Sequence, residues 1–89
     1  MIQKEQITAR VIQIAAEKAG VKESEVSIES HFINDLNFDS LDMVDMNMLV
    51  EDEFDLGIPE EEVAKLMTVG TLVDYIAANC GKKLAADGH

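Results

Sequence analysis

The chain has 89 residues, 18 of them acidic and 7 basic, and a net charge of −11. That length fits one domain with a thin core and marginal stability. The charge disfavours nucleic acid, which needs a Lys/Arg footprint on its phosphates, and disfavours an acidic membrane surface, while it suits a basic protein partner.

Composition adds three bounds. The chain is 47% hydrophobic and 4% aromatic, with no Trp, which suits a bundle of Leu, Ile, Val, Met and Ala. Met1-Ile2-Gln3-Lys4-Glu5-Gln6 lacks the apolar stretch of a signal peptide, and no segment has the length of a transmembrane helix, so no stable membrane insertion is expected. The single cysteine, Cys80, has no partner for an internal disulfide and no metal-ligand set around it, which fits a reducing compartment. The expected setting is cytoplasmic, or an organelle stroma or matrix after removal of a transit peptide.

In chain order the sequence predicts helix, long loop, helix, short helix, helix. It is an all-α, four-helix domain spanning 1–89, with no sustained strand-like alternation. The first helix is expected over about 3–19, where Ile7, Val11, Ile14 and Ala15 share one face and Gly20 stops the chain. Residues 21–38 form a long connection that carries Val21, Val26, Ile28, Phe32, Ile33 and Leu36. A loop of that length is either functional or pinned by its own apolar side chains, and Phe32 and Leu36 are expected to plug the bundle.

The second helix is expected over 40–54, with Asp39 as N-cap and Asp42 at the third helical position, where a carboxylate meets free N–H groups and the positive dipole end. Leu56-Gly57-Ile58-Pro59 stops it. The third helix is expected over 60–66, with Pro59 at its first position, Glu60, Glu61 and Glu62 in its first turn and Lys65 in its last. Thr68 caps a fourth helix over 69–79 whose core face carries Leu72, Val73 and Ile76. Gly81-Lys82-Lys83 closes it, and the tail 80–89 is expected to fray.

The second helix has two apolar lines. Met46, Val50 and Phe54 recur at i, i+4 and i+8; Leu41, Val44 and Met48 recur at i, i+3 and i+7, displaced around the axis. One line belongs to the core, and the other is expected to be partly exposed. Asp42, Asp45, Glu51, Asp52 and Glu53 flank them, and an apolar strip rimmed by carboxylates reads as a docking surface. The competing reading buries both lines, one under the first helix and one under the loop. From Glu23 to Ala64 there are fourteen acidic residues and no Lys or Arg. Such an imbalance costs self-repulsion, and attraction of basic partners would offset it.

A serine that opens a helix is ordinarily only a cap. Here Asp39 can do the capping, which frees the Ser40 hydroxyl at the first turn. A phosphodiester there would meet unsatisfied N–H groups and the positive helix end, although Asp39 and Asp42 oppose a free anion. Asp35-Leu36-Asn37-Phe38-Asp39-Ser40-Leu41-Asp42 resembles the attachment motif of acyl carrier proteins. Glu51-Asp52-Glu53-Phe54-Asp55-Leu56-Gly57-Ile58-Pro59 is similar to that family's end of helix two, and Thr68-Val69-Gly70-Thr71-Leu72-Val73-Asp74-Tyr75-Ile76 to its last helix. The resemblance runs from about Ile7 to Asn79.

The resemblance implies a four-helix bundle of the discrete, type II kind, which acts as a non-catalytic monomeric carrier. It implies 4′-phosphopantetheine covalently attached to Ser40, within the attachment motif of Asp39, Leu41 and Asp42. A phosphopantetheinyl transferase would install the arm from coenzyme A, and acyl groups would ride on its thiol as thioesters, with the chain tucked into the apolar interior. Acyl-processing enzymes of the fatty-acid-synthesis type, with basic docking patches, would be the other partners. Leu41, Val44 and Met48 match partner-contacting positions, and Asp39, Asp42, Asp45, Glu51 and Asp52 match acidic contacts. Three positions depart from the family: Asn37 stands where Gly is usual, Phe38 where a small residue is common beside the arm, and Asn47 where an apolar residue usually lies near the acyl cavity. They point to the alternative of a carrier dedicated to one polyketide or lipid-modification pathway.

Other classes fit less well. Asp35, Asn37 and Asp39 occupy the first, third and fifth places of an EF-hand loop, but Ser40 at the sixth, Asp42 at the eighth and Met46 at the twelfth do not suit a calcium site. A small acidic calcium-binding or interaction module without an arm is the remaining alternative, and no metal ligand is assigned. Catalysis has little support: His31 reads as a loop residue, His89 is the last residue, Cys80 reads as a buried or frayed thiol, and Ser40 has no triad partner.

Overall fold

A computed structural model describes residues 3–79. Its elements are α1 (Lys4–Ala19), a 3₁₀ turn (Glu23–Glu25), α2 (Ser40–Phe54), α3 (Glu60–Val63) and α4 (Val69–Asn79), with no strand among the described residues. The molecule is the small all-α bundle that the periodicity implies. Cys80, the Gly81-Lys82-Lys83 stop and the tail lie outside the described residues.

Each boundary has a local cause. At the start of α1 the Gln3 N–H donates to the Gln6 side-chain oxygen at 3.0 Å, and the Gln6 N–H donates back to the Gln3 carbonyl at 3.0 Å. Gly20 ends it with φ 74°, and the N–H groups of Gly20 and Val21 both donate to the Ala16 carbonyl. That left-handed turn has little steric cost for glycine. The end of α2 departs from expectation: the stop begins at Asp55, which takes the left-handed conformation at φ 54°. The Leu56-Gly57-Ile58-Pro59 run follows this cap. Aspartate tolerates that region better than most residues.

The third helix is shorter than the expected 60–66. It spans Glu60–Val63, with Pro59 as its N-cap and Lys65 beyond its end. The N–H of Lys65 donates to the Glu62 carbonyl, a tighter i→i+3 bond that closes the segment as a turn. Four residues bury too little to sustain a longer helix, and none of them is buried.

The core lies between α1, the inner face of α2 and α4. Ile7 and Val11 of α1 meet Leu72, Val73 and Ile76 of α4, and Met46, Val50 and Phe54 close the third side. The long loop plugs the bundle as expected, with Phe32 and Leu36 buried. Phe38, expected beside the attachment serine, instead turns inward and stacks on Phe32 with ring centroids 5.7 Å apart. Burial of an aromatic ring outweighs its exposure at the loop surface.

Backbone bonds hold the loop against the α3–α4 linker. Phe32 N–H donates to the Met67 carbonyl at 2.8 Å, Val69 N–H to Ser30 at 3.1 Å and Gly70 N–H to Ile28 at 2.8 Å. A β-carbon at Gly70 would stand 3.0 Å from the Ile28 carbonyl oxygen, so a larger residue here would have to push the loop backbone away by a few tenths of an ångström. His31 also belongs to this scaffold: its Nδ1 accepts from the Ile33 and Asn34 amides, and its own N–H donates to Asp35.

Candidate functional site

The start of α2 is built by Asp39. Its carboxylate accepts the Asp42 N–H at 2.9 Å, and the Asp42 carboxylate accepts the Asp39 N–H at 3.2 Å. This reciprocal box is the capping expected at the third helical position. It leaves Ser40 exposed at the first helical position, without a capping duty. The turn that precedes it needs Asn37 at φ 60°, in the left-handed region that asparagine tolerates.

Ser40 opens onto a groove of about 480 Å³. Along α2 the groove wall is Ser40, Met43, Val44, Asn47, Met48 and Glu51. Their spacing of three or four residues makes one helical stripe. The opposite wall comes from loops and α3: Ile33, Ile58, Val63, Ala64 and Met67. Those loop residues carry no periodic signal, so sequence reasoning did not find the far wall. The two Glu side chains at the groove, Glu51 and Glu60, are both acidic, and Glu51 is spent inside the fold, accepting the Ile58 N–H at 2.7 Å.

The two apolar lines of α2 separate as expected. Met46, Val50 and Phe54 are buried, whereas Leu41 is 73% exposed, Val44 53% and Met48 59%. The reading that buries both lines is thereby excluded. Leu49, 52% exposed, extends the outer strip toward Asp45 and Asp52. Its i−4 and i+3 relation to those acids was the available signal. Leu41 is the most exposed member and does not line the groove.

The acidic rim is partly neutralised from within the chain. Lys18 Nζ lies 2.9 Å from Asp45, and Arg10 Nε lies 3.0 Å from Glu53, so α1 supplies cations to the outer edge of α2. The hydrogen bond to Asp45 raises the Lys18 pKa above its ordinary value; partial burial opposes this, and the charges of Asp45, Asp42 and Asp39 add to it. Asp52 remains exposed beside Met48 and Leu49. Asp35 and Asp39, the first and fifth places of the EF-hand alternative, each accept a backbone N–H instead.

These residues fit a covalently held phosphate at Ser40. The residue is exposed, the Ser40 and Leu41 N–H groups of the first turn make no hydrogen bond among the described residues while that of Asp42 is held by Asp39, and a groove leads away along α2. The other serines offer less. Ser30 is buried and accepts the Ser27 N–H, Ser27 accepts the Glu29 N–H, and Ser24 sits within the 3₁₀ turn. Compared with known protein families, residues 9–76 match the one described as the phosphopantetheine attachment site. The match takes in α2, the groove and most of α4.

Proposed function

Because the chain belongs to the phosphopantetheine attachment family, whose members carry 4′-phosphopantetheine covalently on a serine, we propose that Ser40 is that serine and that the protein is a non-catalytic acyl carrier. The observation that carries this reading is the pairing of an exposed Ser40, relieved of capping by Asp39, with a groove that begins at its side chain. Once attached, the arm supplies a thiol that holds acyl groups as thioesters.

The chain's own residues have separate tasks. Asp39 and Asp42 fix the first turn of α2, so the Ser40 hydroxyl is presented to a phosphopantetheinyl transferase in one geometry. The outer strip of Leu41, Val44, Met48 and Leu49 gives apolar contact to acyl-processing enzymes, and Asp45 and Asp52 attract their basic patches. A partner Arg or Lys approaching Asp45 has to displace Lys18, which favours partners with more than one cation. The groove wall of Met43, Val44, Met48, Val63 and Met67 shelters the start of a carried chain from water.

On the resemblance of the attachment motif we propose fatty-acid-synthesis-type chemistry, with a cytoplasmic or organellar setting. Asn47 on the groove wall favours a second reading, a carrier dedicated to one polyketide or lipid-modification route. The test of the carrier role is intact mass after incubation with coenzyme A and a broad-specificity phosphopantetheinyl transferase. One phosphopantetheine group is expected on the wild type and none on Ser40→Ala. A gain that persists in Ser40→Ala would move the site to another residue; no gain on the wild type would overturn the reading.

A further inference from the structure

Asn47 is the one polar residue among the buried side chains of the groove wall. It is 7% exposed and stands beside Met43, Val44 and Met48. Its side-chain amide makes no hydrogen bond among the described residues, whereas the other buried polar residue, Ser30, is paired. An amide brings two donors and an acceptor, and burying them unpaired is costly. In an open groove water can serve them. A hydrocarbon chain entering the groove displaces that water and offers nothing in return.

We propose that Asn47 is a specificity-determining residue, which selects carried acyl chains that bear a hydrogen-bonding oxygen, a hydroxyl or keto group, over unsubstituted alkyl chains. The inference rests on the carrier role assigned to Ser40. Seven residues separate Ser40 from Asn47, two helical turns or about 10 Å along α2. Both residues face the same groove. An oxygen on the chain accepts from Nδ2 or, as a hydroxyl, donates to Oδ1. A chain without it leaves the amide dry and unpaired. A site with a buried hydrogen-bonding group rejects the analogue that lacks the matching group more strongly than an apolar pocket rejects an added hydroxyl.

The experiment starts from protein whose single arm is confirmed by mass and absent in Ser40→Ala. If no arm is acquired, the carrier reading fails and this inference falls with it. The arm is then loaded with hexanoyl or 3-hydroxyhexanoyl groups, and thioester cleavage by hydroxylamine is timed. The hydroxyacyl form of the wild type is expected to survive about tenfold longer, relative to a free pantetheine thioester, than the hexanoyl form. Asn47→Leu is expected to abolish or invert that ratio. The Asn47 side-chain amide resonances of ¹⁵N-labelled wild type are expected to move on hydroxyacyl loading and not on attachment of the bare arm. Equal protection of the two chains, a preference that survives in Asn47→Leu, or resonances already fully shifted by the bare arm would each overturn the inference while leaving the carrier role intact.

Discussion

The α1–α4 pair and the α2–α3 pair draw on the same kinds of apolar side chain with opposite results. In the first, Ile7, Val11, Leu72, Val73 and Ile76 are all essentially inaccessible and interlock. In the second, α3 has no buried residue, Val44 and Met48 stay exposed, and a groove of about 480 Å³ remains between the elements. A small domain has little core to spend. Here it concentrates packing in one half and leaves the other open, next to Ser40. α2 belongs to both halves, with its inner line in the core and its outer stripes on the groove and the solvent.

The largest effect that tests this division compares one truncation in each half. Leu72→Ala empties a fully buried site and should cost about 2–5 kcal/mol, a large part of a domain's roughly 5–15 kcal/mol. Val63→Ala in α3, where the side chain is only half buried, should cost about 1 kcal/mol or less. Urea unfolding of both variants gives the comparison directly. Equal losses would mean that the groove half is as tightly built as the other, and the division would not hold.

A step down are the devices that aim Ser40. Asp39→Ala removes the cap from α2 and should cost about 1 kcal/mol. Asn37→Ala places a β-branch-free but left-handed-averse residue at φ 60° and should cost about 1–2 kcal/mol, whereas Asn37→Gly should be close to neutral. Both losses should also slow arm attachment, because a frayed first turn presents the hydroxyl in many geometries. If Asp39→Ala is modified at the wild-type rate, the cap serves stability alone.

The legible part of this molecule follows the same division. The packed half was readable because helical periodicity marks a face, and Ile7, Val11, Leu72 and Ile76 sit where it placed them. The Asp39–Ser40–Asp42 turn was readable because capping is local chemistry. The groove's far wall was not, since Ile33 and Met67 reach it from irregular segments whose positions depend on the Phe32–Met67 and Gly70–Ile28 backbone bonds. The inward turn of Phe38 was hidden for the same reason: its partner Phe32 is also in the loop. The neutralising role of Lys18 and Arg10 is a contact between helices distant in sequence, which charge runs along the chain do not reveal.

Tyr75 links the two halves, its hydroxyl on α4 donating to the Gly57 carbonyl at 3.1 Å. Tyr75→Phe should therefore cost about 0.5–1.5 kcal/mol. Burial first, and then the charges of Glu62 and Glu51, raise its pKa above 10.0. A raised pKa in the folded state means that the stability tied to the protonated phenol is fully present below the unfolded value and is lost as pH rises through the folded one. Stability measured from neutral to strongly alkaline pH should fall for the wild type, and less steeply for Tyr75→Phe.

The smallest effect concerns the outer edge of α2, and it separates stability from recognition. Lys18 is also raised above its ordinary 10.5, chiefly by its hydrogen bond to Asp45. The sign is the same as for Tyr75: the contribution is whole below the unfolded value and disappears as pH climbs through the folded one. An exposed pair of this kind contributes little, and salt screens it. Lys18→Met should thus barely change the unfolding midpoint at neutral pH. It should instead free Asp45 and increase the negative field near Ser40, where Asp39 and Asp42 already lie. Association with a basic partner, followed by stopped-flow at low salt, should become faster in Lys18→Met, and the gain should vanish at high salt. An unchanged rate at low salt would show that Lys18 does not mask Asp45 from partners, and the outer edge would then act through its apolar strip.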